Sequence, residues 1–356
     1  MKMKQGKLPE NVLKRSVLRQ LHTEREDVLI KPNVGTDCAA IRMAEGESAV
    51  LCTDPVIWTD REDAKRVAHA VCNDLACTGA EPVGLLLTAL LPVDLEEPDM
   101  REMVQMINVE CGALGIAILG GHTEVTEVVN RPVISVTGVG KVCEKRLIRA
   151  GGTQVGDDIL VTKWIALEGT FRIARMKKSE LSERYPAYFV EKAAGFDCFL
   201  SVLPEARAAA AYSEAAAYGR PPAGDGRTEK TGQMTNGVSA MHDISEGGIF
   251  GALWELAESS GVGLEIDLKK IPIRQETVEI CNFYDINPYR LVSGGSLLLA
   301  ARDGKSLVRW LETEGIPAVV IGKAVPGNDR VVVNDGDRRF LERPGPDEIR
   351  RMAITR

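Results

Sequence analysis

Along the first 150 positions the apolar residues follow two alternating rhythms. Ser48–Thr53, Gly84–Leu91, Ile116–Leu119 and Val133–Val142 are short apolar runs of strand length. Arg61–Thr78 and Asp99–Leu114 instead space their apolar residues three and four apart, as a helix with one buried face does. The alternation predicts an α/β domain over residues 1–150, its sheet covered by helices. At Arg149–Asp158 (RAGGTQVGDD) two adjacent glycines and two aspartates interrupt the pattern, which marks a domain boundary.

A second domain, residues 151–356, restarts with a strand at Ile159–Thr162. It continues into a helical, polar excursion at about 178–232, with alanine-rich Ala206–Ala217 as its strongest helix. Gly219–Gly232 (GRPPAGDGRTEKTG) reads as a loop by composition. A helix at Ile249–Ser259 follows, then strands at Leu264–Leu268, Ser296–Ala300, Ala318–Ile321 and Arg330–Val333. The two halves have similar mixed content without a residue-level repeat.

Composition removes several classes. The chain has 356 residues, 44% hydrophobic and 27% charged, so it can bury a core and is not a disordered chain. A net charge of −7 disfavours a nucleic-acid partner, which would demand a basic surface. No apolar run approaches the roughly 18–20 residues of a membrane span, and the N-terminus lacks a signal-peptide core, so no membrane and a cytoplasmic location are expected. The eight cysteines include no CxxC pair and read as small buried hydrophobes.

The candidate chemistry lies in acids and glycines. Asp37 in VGTDCAA, Asp54 closing AVLCTD, Asp74 in VCNDLACTGA and Glu124 after GGHTE would each, alone, cap a helix or a turn. Together they could hold a hard divalent cation such as Mg²⁺, which takes one or two carboxylates plus nucleotide phosphate oxygens. Asn73 could add an amide ligand. Gly120-Gly121 and Gly247-Gly248 read as glycine turns with backbone N–H groups free for phosphate, the second before a helix. Neither fits GxxxxGK[ST] or GxGxxG. Of four histidines, His69 reads as structural, whereas His122 and His242 sit in glycine- and acid-rich segments suited to acid–base work or ligand contact. Ser293-Gly294-Gly295-Ser296 reads as a tight turn.

The ordered set GTDCAA (35–40), TD (53–54), NDLACTGAEP (73–82), GGHTE (120–124), VTGVG (136–140), GDDILVTK (156–163) and HDISEGG (242–248) resembles the aminoimidazole ribonucleotide synthetase (PurM-like) superfamily. Within it the run is most similar to the hydrogenase maturation protein HypE and to AIR synthase-related proteins. The resemblance implies an α/β plus α+β, two-domain PurM-like fold: an N-terminal mixed sheet with helices that binds ATP and forms a homodimer, and a C-terminal α+β sandwich.

It implies ATP and Mg²⁺ as cofactors. Asp37, Asp54 and Asp74 match the metal positions. Asp37, Asn73, Gly120, Gly121, Thr123, Gly247 and Gly248 match nucleotide-binding ones, and His122, Glu124, Asp243 and Glu246 are the catalytic candidates. His122 stands where many members carry an acid. The implied reaction transfers the ATP γ-phosphoryl group to an amide-like or other oxygen of a small-molecule or protein-borne substrate. The chain ends IRRMAITR without the C-terminal cysteine on which HypE carries its substrate. A non-catalytic nucleotide-binding maturation scaffold and a thiamine-monophosphate kinase are the alternatives.

Overall fold

The computed structural model describes residues 10, 11, 14, 28–30, 33–36, 38–43, 46–217 and 237–352. Asp37 and the loop at 219–232 lie outside the described residues. The chain forms two compact units that divide between Leu147 and Ile148, with residues 10, 11, 14 and 33–36 packing into the C-terminal one.

The N-terminal unit is a mixed sheet of six strands: β1 (Val28–Ile30), β2 (Cys38–Arg42), β3 (Glu47–Ile57), β4 (Glu81–Leu91), β5 (Ala117–Val125) and β6 (Val133–Cys143). Their order is β1-β2-β3-β6-β4-β5, and only β4 and β5 run parallel. A parallel pair needs a crossover, which α2 (Glu97–Leu114) supplies. Pro98 and the acids Glu97 and Asp99 open that helix, and Gly115, at φ 73°, closes it by donating its N–H to Cys111 O.

Both α1 (Asp63–Cys77) and α2 cover one face of this sheet. Val67, Val71 and Leu75 of α1 are buried over β3, β4 and β6, whose buried residues include Val50, Cys52, Leu85 and Val136, while Met103 and Ile107 of α2 face the same space as Leu87, Ala89 and Ile134. The glycine of VTGVG allows that approach, since a Cβ on Gly138 would lie 2.8 Å from Val71 Cβ. GGHTE is not the turn its glycines suggested. It belongs to edge strand β5, because Leu87–Ala89 of β4 pairs with Gly121–Thr123. The strand read at Ile116–Leu119 is therefore longer than its apolar run.

The C-terminal unit carries a seven-stranded mixed sheet from β7 (Asp158–Thr162), β8 (Val238–Asp243), β9 (Gly263–Asp267), β10 (Leu297–Ala301), β11 (Ala318–Val325), β12 (Arg330–Asn334) and β13 (Asp337–Phe340), in the order β13-β12-β9-β11-β7-β10-β8. The helices α3 (Leu167–Met176), α4 (Lys178–Arg184), α5 (Ala187–Ala194) and α6 (Leu203–Ala217) form the excursion, which starts earlier than the polar composition indicated. Next come α7 (Gly248–Ser260), α8 (Gln275–Phe283), α9 (Gly304–Thr313) and the short α10 (Ile349–Met352). One core cluster joins Ile249, Leu253 and Leu256 of α7 to Ile159, Val161, Leu264 and Leu298 of the sheet, and a second joins α3, α5 and α8. Gly35 of the GTDCAA motif has a structural task here: it turns at φ 68°, where a Cβ would lie 2.5 Å from Glu255 O of α7.

Candidate functional site

Strand register decides which predicted residues of the N-terminal unit can meet. Asp54 pairs with Val136, Val136 with Leu87, and Leu87 with Gly121, so these four share one face of the sheet. It is the face that α1 and α2 cover. One step along each strand, Pro55, Ser135, Thr88 and His122 share the opposite, open face, and Glu124 follows His122 on it. Asp54 and His122 thus project from opposite sides of the sheet.

On the covered side, α1 presents Asn73, buried, and Asp74, half-buried at the margin of its apolar stripe. Asp54 is half-buried as well, and all three residues have partners. On the open side, His122 Nε2 lies 3.4 Å from Glu124 Oε2, both side chains more than half exposed.

Gly120 and Gly121 connect the two sides. Their φ angles, 146° and 147°, fall where a side chain is strained, and a Cβ on Gly121 would sit 1.9 Å from Leu87 O. β5 pairs only with β4 among the described strands, so its outer edge leaves backbone groups unused. Beside this glycine pair is a cavity of about 210 Å³, lined by Leu87, Ala89, Met103, Ile107, Ile134 and Thr123 among others. It is apolar with a polar rim from Gly120, Gly121 and His122.

No group of three or more His, Cys, Asp or Glu able to hold a metal occurs among the described residues. Asp54 and Asp74 are oxygen donors of the kind a hard cation selects. Magnesium needs only one or two carboxylates when nucleotide phosphates complete its shell, so the donors present are compatible with MgATP.

In the C-terminal unit the segment expected to face phosphate is occupied from within. The Gly247 N–H donates to Asp347 Oδ2 at 2.6 Å, while Asp347 Oδ1 accepts from Ile349 N–H at 2.8 Å and Val292 N–H at 3.3 Å. Gly248 is needed for a close approach, since a Cβ there would meet Tyr289 O at 2.7 Å. Glu246 is held by Arg350, whose Nε lies 2.9 Å from Oε1. Burial, aided by the charge of Glu246, pushes the Asp347 carboxyl up to about 6 even though three N–H groups favour its ionised form. Asp243 is buried at the end of β8. His242 is buried too, its Nδ1 2.6 Å from Asp243 O and its Nε2 3.4 Å from Glu255 Oε2. Its ring is thus enclosed between Asp243 and Glu255 within the unit.

Asp347 was not legible as a site residue. The available signal was proline followed by aspartate before IRRM, an N-cap pattern that the short α10 fulfils.

Two family models cover more than half of the chain: the AIR synthase related protein N-terminal domain matches residues 35–142, and the C-terminal domain residues 226–334. A protein of Methanocaldococcus jannaschii, assigned provisionally by its name to hydrogenase expression/formation, is 26% identical over 358 residues, 98% of this chain and 97% of its own length. Among solved structures, the hydrogenase maturation protein HypE in complex with ATP superposes with a TM-score of 0.67 at 17% identity, over 98% of each chain. A ThiL protein complexed with AMPPCP and TMP gives 0.68 at 21% identity, over 95% of this chain and 96% of its own. With both domain models in sequence order and the two-sheet PurM-like architecture described above, the chain belongs to the AIR synthase related family.

Proposed function

We propose that this chain is an ATP- and Mg²⁺-dependent phosphoryl-transfer enzyme that acts as a homodimer. It would activate an amide-like or other oxygen of a small-molecule or protein-borne substrate. The observation that carries the reading is the cavity beside Gly120-Gly121, where an apolar cleft adjoins side-chain-free backbone on a strand edge. An apolar cleft accepts a nucleobase, and bare backbone at its rim leaves N–H groups and space for phosphates. At about 210 Å³ it is smaller than the ~300–1,000 Å³ of whole-ligand pockets, so it would house one portion of the nucleotide.

Thr123 would add a hydroxyl donor at that rim. Asp54 and Asp74, with Asp37 by resemblance, would hold the magnesium, which supplies charge neutralisation on the phosphate oxygens. Asn73, buried beside Asp74, would orient that end of α1. His122 and Glu124, paired on the open face, can carry a proton between them. Asp243 and Glu246 would be the catalytic acids of the C-terminal unit, Glu246 being held by Arg350 in this structure. Work of this kind is mainly positioning and charge compensation.

Calorimetry with MgATP tests the site. Asp54→Asn and Asp74→Asn should each bind at least about tenfold more weakly than the parent while remaining folded, the loss of one charged contact to the metal–nucleotide complex. Equal affinity in all three proteins would reject it. ADP release measured across a panel of acceptors, thiamine monophosphate included, then identifies the substrate class. A scaffold without turnover is favoured by one observation, the Gly247 N–H occupied by Asp347, and predicts nucleotide binding with no acceptor-dependent ADP.

A further inference from the structure

The loop joining β7 to α3 holds two non-glycine residues in left-handed backbone, Lys163 at φ 53° and Ala166 at φ 58°. Such conformations cost about 1–3 kcal/mol each and persist only where the surroundings impose them. Here they do. The Ile165 N–H donates to Pro272 O at 3.0 Å, Ala166 N–H to Ser293 Oγ at 2.6 Å, and Ser296 Oγ to Trp164 O at 2.5 Å. Lys163 turns inward and places its ammonium on Phe199 O, Ser201 O and the buried Glu205.

This grip presents Trp164. Its ring meets Phe199 edge-on at 5.8 Å between centroids, and the Arg274 guanidinium lies over it at 3.6 Å. Arg274 is the N-cap residue of α8, and no side chain caps that helix. Arg274 Nε is buried without a hydrogen-bond partner, and no ion pair of Arg274 occurs among the described residues. Glu276, two positions on, is committed to Lys192 at 2.5 Å.

A second arginine–tryptophan stack in the same unit supplies the contrast. Arg330 lies over Trp254 at 4.1 Å, but its Nη2 is neutralised by Glu258 at 2.6 Å. The first stack is similar, but among the described residues no acid reaches ion-pair distance of Arg274; its charge acts on Glu276 only from beyond that distance. A buried N–H left unpaired costs about 1–3 kcal/mol, which an arriving acceptor would recover. Stacking occupies the face of a guanidinium and leaves its edges directed at whatever shares its plane, and those edges fit a phosphate or a carboxylate in a two-pronged contact. The uncapped start of α8 adds a favourable potential for negative charge.

We propose that Arg274, laid on Trp164 and held by the strained 163–166 loop, is an oxyanion seat for the phosphate or carboxylate group of a ligand bound to the C-terminal unit. The seat stands independently of the nucleotide reading. Inorganic phosphate and acetate are titrated into the intact chain, with chloride at matched ionic strength as control, and binding is read by tryptophan fluorescence and calorimetry. A saturable response to one of the two oxyanions is expected, and the preferred one identifies which group the seat takes.

Arg274→Gln should weaken that binding at least about tenfold, the worth of a charge-assisted pair. Trp164→Phe should abolish the fluorescence change while calorimetric binding survives in weakened form. Arg274→Lys, which keeps the charge and loses the fork, should fall between, and it decides the matter if Arg274→Gln does not fold. Unchanged binding in the Arg274 variants, a response that chloride reproduces, or no response to either oxyanion would overturn the proposal. MgATP affinity should be unchanged in Arg274→Lys, so failure here is distinct from failure at the nucleotide site.

Discussion

The carboxyl group of Asp347 is pulled in two directions, and the direction that prevails has a measurable consequence. Burial raises it from the ordinary aspartate value of 3.8 to about 6, against three N–H donors. The folded chain therefore favours the neutral form more than the unfolded chain does. Stability contributed by this group is fully present below about 4 and is lost as pH rises to about 6, by up to roughly 3 kcal/mol. Urea unfolding at several pH values should show that decline in the parent protein and not in Asp347→Asn, so the difference between them carries the slope. Parallel pH profiles would show that the carboxyl is not perturbed. At the same scale, Arg350 on Glu246 explains why an acid read as catalytic is engaged within the unit.

Among the elements, β5 is the one whose local composition and tertiary role conflict. Two adjacent glycines normally end a strand, yet here they continue one, because β4 supplies a ladder and both residues sit at a positive φ that an ordinary side chain strains. The two glycines differ in a way that a paired substitution exposes. A Cβ on Gly121 would lie 1.9 Å from Leu87 O, whereas a Cβ on Gly120 would meet nothing closer than Leu86 Cδ2 at 3.8 Å. Gly121→Ala should cost about 2–4 kcal/mol, combining positive-φ strain with a backbone collision, and Gly120→Ala only about 1–2 kcal/mol of strain. Thermal melting of both variants checks the order, and equal losses would contradict the register. The loop before α3 is a second such element: its backbone strain makes sense only once the surrounding carbonyls and serines are in place.

For the whole molecule, the open face of the N-terminal sheet is the feature that asks for a partner. Ile57 and Leu86 project from it and are exposed, and Leu119 is exposed beside the bulge in β5. A sheet face that mixes apolar residues with Thr53, Thr88 and Thr137, and that neither α1 nor α2 covers, is a poor surface to leave in water. In the homodimer reading this face is covered by its counterpart. Sedimentation should find the parent protein dimeric and Leu86→Glu monomeric, with the melting of the monomer unchanged in cooperativity. A dimer that survives a charge at Leu86 would place the contact elsewhere. No helix of the described residues is long and apolar enough to cross a membrane.

Much of the architecture was readable from apolar spacing, because burying one face of a helix or a strand leaves a period in the sequence itself. The helices at 63–77, 97–114 and 248–260 and the strands at 47–57, 81–91 and 133–143 all announced themselves in that way. The ordered motifs, in turn, pointed to the AIR synthase related family, since a family pattern is a one-dimensional property. What stayed hidden depends on contacts between distant positions. Which side of the sheet Asp54 and His122 occupy follows from pairings that no single segment encodes. Asp347 fills the Gly247 amide from 100 positions away, and Arg274 settles on Trp164 across a similar separation. Local sequence fixes which faces must be buried. Only the folded chain decides what each polar group meets there, since that depends on which groups the packing brings within hydrogen-bond reach.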